Sequence, residues 1–112
     1  MKQLTSIADL DAVLADGRPV LLFKHSTQCP ISTFADQEYA RFAEQLEPST
    51  TILLTHLDLI AHRDVSAAIA EKTGITHQSP QAILVVDGTA VWDASHTGIT
   101  ADRLAEAVAA NL

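Results

Sequence analysis

The sequence predicts an α/β fold: a central mixed sheet of four to five strands, with helices on both faces, making three layers. Three observations carry this expectation. The run "VLLFK" (20–24) is continuous rather than alternating apolar, as expected of a strand covered on both faces, and the longest apolar stretch, 82–86, is also a strand's length. Helical periodicity fills the segments between the first strand candidates, which makes β-α-β steps and parallel neighbours. Asp87-Gly88 joins "AILVVD" to "TAVWD" (89–93) through a strong hairpin-turn signal, which adds an antiparallel step.

The elements follow in order along the chain. Residues 1–5 are expected to add a short edge strand. Ser6 followed by Asp9 makes a capping-box-like opening, with Asp in place of the usual Glu, and Ile7, Leu10 and Leu14 then share one helical face. This predicts a helix over 7–15, ended by "DGRP". "VLLFK" reads as a central strand. Pro30 suits the first position of a helix, where its missing N–H removes nothing, and Ile31, Ala35, Phe42 and Leu46 line one side. "TILLTHLDL" (51–59) is rich in β-formers. The helix after it carries Val65, Ala68, Ile69 and Lys72 on one side and closes at Gly74, a suitable C-terminal cap. After the hairpin, Leu104, Ala107, Val108 and Leu112 mark a last amphipathic helix capped by Thr100. With 112 residues, 47% hydrophobic, and no repeat or linker, residues 1–112 are expected to form a single domain.

The charge balance narrows the function classes. Fourteen acidic residues against seven basic give a net charge of −7, and no Lys/Arg cluster is present to track a phosphate backbone or an anionic bilayer. Neither nucleic acid nor a membrane is expected as a partner. The N-terminal "MKQLTSIADL" lacks the apolar run of a signal peptide, and no apolar stretch approaches the roughly 18 residues of a membrane span. One cysteine cannot close an intrachain disulfide, so a reducing cytoplasm is the expected compartment.

That cysteine, Cys29 in "STQCPIS" (26–32), stands at the strand-to-helix junction, at the carboxyl end of the central strand, where open α/β sheets place their sites. A thiol there faces unpaired backbone N–H groups and the positive end of the helix dipole, and both favour thiolate. Ser32, three residues on, falls in the first helical turn, where its hydroxyl can donate to a thiolate but cannot attack a disulfide. Lys24 and His25 precede the thiol closely enough to add positive charge. A lone cysteine in such a chain is most often a small buried apolar residue. The polar flanks Ser26, Thr27, Gln28 and Ser32 argue instead for a reactive one. His56, His62, His77 and His96 are scattered, so no metal centre is expected. Asp36, Glu38, Glu44 and Glu47 read as a solvated helix face. Pro80, in "HQSPQAIL", directly precedes a strand.

A thiol at a β-to-α junction followed by Pro, with "SP" just before the hairpin, resembles the thioredoxin superfamily, and the likeness covers nearly the whole chain. "FKHSTQCPIS", "HQSPQAIL" and "ASHTGIT" together resemble the monothiol bacilliredoxin family of bacillithiol-system proteins. The resemblance implies a thioredoxin-like fold and removal of bacillithiol, a low-molecular-weight thiol, from S-thiolated client proteins, with bacillithiol as co-substrate and no bound cofactor. It implies that Cys29 is the attacking thiol, that Ser32 takes the place of a second cysteine, and that Pro80 is a cis-proline. Lys24, His25, Thr27, Pro30 and Ser79 are expected at the substrate-binding surface around this thiol. The chain departs from the family at Thr97, where a tryptophan is common, and from thioredoxins at Phe23, where a buried acid usually stands.

Two other function classes compete. Monothiol glutaredoxins hold an iron–sulfur cluster through a C-G-F-S cysteine, a motif from which Pro30 and Ile31 depart. A thioredoxin-like interaction module would carry an incidental cysteine with ordinary thiol reactivity. A peroxidase is disfavoured because no P-x-x-x-T-x-x-C run leads into Cys29.

Overall fold

Val20–His25 (β2) is the strand around which the sheet is built. The computed structural model describes residues 1–112. It arranges Lys2–Gln3 (β1), Leu53–Asp58 (β3), Gln81–Val86 (β4) and Thr89–Ser95 (β5) in the order β1-β3-β2-β4-β5. β3 runs parallel to both β1 and β2, whereas β4 is antiparallel to β2 and to β5. The helices Ile7–Ala15 (α1), Pro30–Gln45 (α2), Arg63–Thr73 (α3) and Ala101–Asn111 (α4) cover the two faces. The mixed three-layer arrangement expected from the sequence is therefore present. No helix is long and apolar enough to cross a membrane.

Successive side chains of a strand point to opposite faces, and β2 divides the core accordingly. Leu21 and Phe23 pack with Ala35, Tyr39 and Phe42 of α2 and Leu104 of α4. Val20 and Leu22 pack with Leu10 and Val13 of α1 and Val65 and Ile69 of α3. On the first face the Tyr39 hydroxyl donates to the Thr55 carbonyl at 2.7 Å, and the Thr55 hydroxyl donates to the Leu21 carbonyl at 2.9 Å. Burial holds the Tyr39 phenol above its usual range, so it stays a neutral donor.

Local signals explain where the elements start and stop. Ser6 Oγ accepts from the Asp9 N–H, as in a capping box, but the Asp9 carboxylate accepts from the N–H and hydroxyl of Thr5 instead of reaching back to Ser6. Thr100 Oγ1 accepts from the Arg103 N–H at the start of α4. Gly74 ends α3 at φ 72°, a left-handed conformation that costs glycine no steric clash. Asp87 and Gly88 both have positive φ, as the tight hairpin requires.

Four expected packing positions are corrected. Ile31 is 43% exposed, and the buried stripe of α2 runs through Ser32, Ala35, Tyr39 and Phe42 instead. Ile7 and Leu112 are exposed ends, and α1 buries Leu10 with Val13. Lys72 projects outward to pair with Asp11 of α1.

Candidate active site

β2 delivers its chain end to a tight turn in which the Cys29 N–H donates to the Ser26 carbonyl at 3.3 Å. Cys29 is the N-cap residue of α2, in extended conformation, and its carbonyl accepts from the Thr33 N–H at 3.1 Å. Pro30 occupies the next position, where a helix needs no N–H. No acidic side chain lies in the first turn of α2, so the positive helix end faces the half-buried thiol without local neutralisation.

Ser32 is fully buried under this turn. Its Oγ accepts from the Ser26 N–H at 2.8 Å and lies 2.8 Å from His25 Nδ1. The hydroxyl expected to serve the sulfur is thus engaged by the strand end, and it fixes the turn that presents Cys29. His25 reaches the α2 face, with its ring centroid 6.3 Å from Phe23 and 5.6 Å from His56. His56 Nε2 lies 2.9 Å from Asp36 Oδ1, and its buried Nδ1 has no hydrogen-bond partner.

Lys24 is turned the other way. One residue earlier in the strand, it points to the α1/α3 face and is fully buried, with Nζ 2.9 Å from Nδ1 of His77. Burial without a carboxylate partner pushes its ammonium down to about 8. Direct contact with a substrate, expected from the sequence, is corrected by this sealed position.

Across the sheet, the Ser79-Pro80 bond is cis. Gln81 pairs with Lys24 in the antiparallel β2–β4 ladder, so the preceding Pro80 stands beside the end of β2. The Pro80 carbonyl accepts from the His96 N–H at 3.2 Å, which ties the proline loop to the end of β5. Around the thiol, Thr27 and Pro30 are exposed, Ser79 is half-buried, and Ile31 and Phe34 add exposed apolar surface on the first turns of α2.

A single thiol capping a helix, next to a cis-proline loop on a five-stranded mixed sheet, can be compared with known proteins. A family model described as monothiol bacilliredoxin BrxC matches residues 2–104. The chain belongs to the monothiol bacilliredoxin family. A solved structure described as a putative oxidoreductase with a thioredoxin fold is similar at 34% identity and TM-score 0.85, covering 95% of this chain and 91% of that one. Thioredoxins of Fasciola hepatica and Plasmodium falciparum match at 17% identity, with TM-scores of 0.79 and 0.74 and full coverage of both chains, and show the shared fold.

In this bacilliredoxin-family chain the structure brings Cys29, Ser32 and His25 together at the start of α2 and sets Ser79 and Pro80 at the neighbouring strand. Sequence reasoning missed His56 and Asp36. Asp36 was read as part of a solvated face, yet it binds His56 of β3, and Glu38 accepts from the Ala101 N–H at 3.2 Å, joining α2 to α4. The i, i+3, i+7 spacing of Ser32, Ala35 and Tyr39 was the available signal that Ser32 lies on the buried stripe. No group of three or more His, Cys, Asp or Glu side chains is placed to hold a metal ion.

Proposed function

We propose that this protein is a monothiol thiol–disulfide oxidoreductase that removes bacillithiol from S-bacillithiolated proteins in a reducing compartment. The observation that carries the reading is the position of Cys29, the chain's one thiol, as the cap of α2 beside the cis-proline loop, within a thioredoxin-fold oxidoreductase family. The Cys29 thiolate attacks the bacillithiol sulfur of the client's mixed disulfide, the client S–S bond breaks, and the client cysteine leaves as thiolate. A second bacillithiol thiolate then attacks the bacillithiol sulfur now held on Cys29. Bacillithiol disulfide forms and Cys29 is released as thiolate, so each bond broken is replaced by one formed.

Each residue has a part in this cycle. The positive end of α2 makes Cys29 a good attacker and, once modified, a good leaving group. Ser32 holds the Ser26–Cys29 turn. The backbone at Ser79, held by the cis bond to Pro80, pairs with an extended client segment and aligns the disulfide, while Thr27, Pro30 and His25 border the reacting sulfurs. No carboxylate stands at Phe23 to take a proton, which suits resolution by an external, already ionised thiol.

The test is intact mass. Reduced protein mixed with a bacillithiol-modified client gains one bacillithiol on Cys29, and excess free bacillithiol removes it, while Cys29→Ser does neither. A wild-type protein that never gains the mass, or a Cys29→Ser variant that releases the client equally fast, sinks the reading.

A further inference from the structure

One cation without a carboxylate partner, Lys24, stands on the strand that leads to the thiol. Of the seven Lys and Arg side chains, Lys2, Arg18, Arg41 and Lys72 sit in ion pairs with carboxylates. Lys24, Arg63 and Arg103 do not, in a chain of net charge −7, and the first two act on the same residue, His77. Lys24 is sealed behind the exposed His77 ring, and Ser66 Oγ of α3 lies 3.4 Å from the same Nδ1. Arg63 opens α3 nearby.

Hydrogen-bond chemistry fixes what His77 offers. An ammonium has donors only, so Nδ1 must accept from Lys24, and the ring proton stands on Nε2. Partial burial, then the Lys24 charge, then the Arg63 charge hold the imidazole below its usual range, so at neutral pH it stays in this neutral, single-proton form. An exposed ring with one N–H donor, backed by a buried cation and within the field of a guanidinium, suits an anion.

We propose that His77, with Lys24 behind it and Arg63 beside it, forms a subsite for a carboxylate of the low-molecular-weight thiol exchanged at Cys29. This rests on the exchange reading above and adds to it which part of the small thiol is recognised, and by what. Lys24 is a positioning residue that acts through His77. The subsite and the sulfur flank one loop: His77 precedes Pro80 by three residues, and Lys24 precedes Cys29 by five around the end of β2. Five residues span at most about 18 Å when fully extended. The Ser26–Cys29 turn makes the actual span shorter than this limit.

The experiment measures second-order rates of mixed-disulfide formation on Cys29, by intact mass, with glutathione disulfide as the carboxylate-bearing probe and 2-hydroxyethyl disulfide as the neutral one. The ratio of the two rates is compared among the wild type, His77→Gln, Arg63→Gln and Lys24→Met. Loss of the exposed Arg63 charge, of the His77 donor, or of the Lys24 charge behind it should each lower the ratio about two- to fivefold. Arg103→Gln, which removes the same charge from α4, should leave it unchanged. A ratio in His77→Gln and Arg63→Gln equal to that of the wild type overturns the subsite while the exchange reading stands. A peptide disulfide with acidic neighbours is run as a third probe; if the variants slow that probe alone, the site reads the client and the proposal is likewise overturned. Absence of a mixed disulfide with every probe would remove the exchange reading and the subsite with it.

Discussion

Replacing Lys24 by methionine should stabilise the protein at neutral pH, against the usual outcome of a core substitution. Lys24 is fully buried, has His77 as its one hydrogen-bond partner, and has no carboxylate nearby. Its ammonium falls from 10.5 to about 8. At about 1.4 kcal/mol per pH unit, that fall makes the charged amine about 3 kcal/mol costlier in the folded than in the unfolded chain. This is an upper limit, because relaxation of the protein around a buried ion offsets part of the penalty and leaves about 1 to 3 kcal/mol. Methionine has similar length and no charge to desolvate, and His77 Nδ1 can then bond water.

The sign follows from proton linkage. Below pH 8 the folded and unfolded chains both hold the lysine proton, and the penalty is fully present. Between about 8 and 10.5 the folded chain has released a proton that the unfolded chain keeps, so wild-type stability from this group rises with pH. Urea unfolding of both proteins at pH 7 and at pH 9.5 should therefore show Lys24→Met ahead at pH 7, with the gap narrowed at pH 9.5. Differencing the two proteins removes every other titrating group. A gap that is equal at both pH values, or a methionine variant less stable at pH 7, would refute the reasoning.

Ser32→Ala leaves the Ser26 N–H without its acceptor beneath a buried turn and should cost about 1 to 3 kcal/mol in urea unfolding. It should also slow mixed-disulfide formation, because the turn that presents Cys29 loosens, whereas Ser32→Thr should restore part of both. Tyr39→Phe removes a buried donor from the Thr55 carbonyl and should cost about 1 kcal/mol, read as a lower urea midpoint with an unchanged slope.

The strands, helices and hairpin were legible because their signals are local: continuous apolar runs, Ser6 and Thr100 as caps, Gly74 as a stop, and Asp87-Gly88 as a turn. The thiol was legible for the same reason, since Cys29 and Pro30 are adjacent in sequence. The surroundings of the thiol were less so. Strand alternation dictates that Lys24 and His25 face opposite ways, but which of them faces α2 depends on how α2 packs, and only the whole fold decides that. Lys24 meets His77 across a separation of 53 residues, and His56 meets Asp36 across 20, pairings that no periodicity announces. Ile31 was misplaced because apolar character outweighed spacing, while the hydroxyl of Ser32 hid its membership of the buried stripe.

The sheet also acts as a wall between two compartments that can be tuned separately. The thirteen buried side chains on the α2/α4 side and the eleven on the α1/α3 side have no member in common. Changes on opposite sides, lacking shared partners, should combine almost independently. A lineage adapting to a new growth temperature can therefore adjust Val13, Val65 or Ile69 while the Phe23, Tyr39 and His56 rings beneath the thiol keep their spacing. The body of the α1/α3 side, below its rim of Lys24 and His77, is then a reserve of thermal tolerance that can be drawn on without retuning the chemistry.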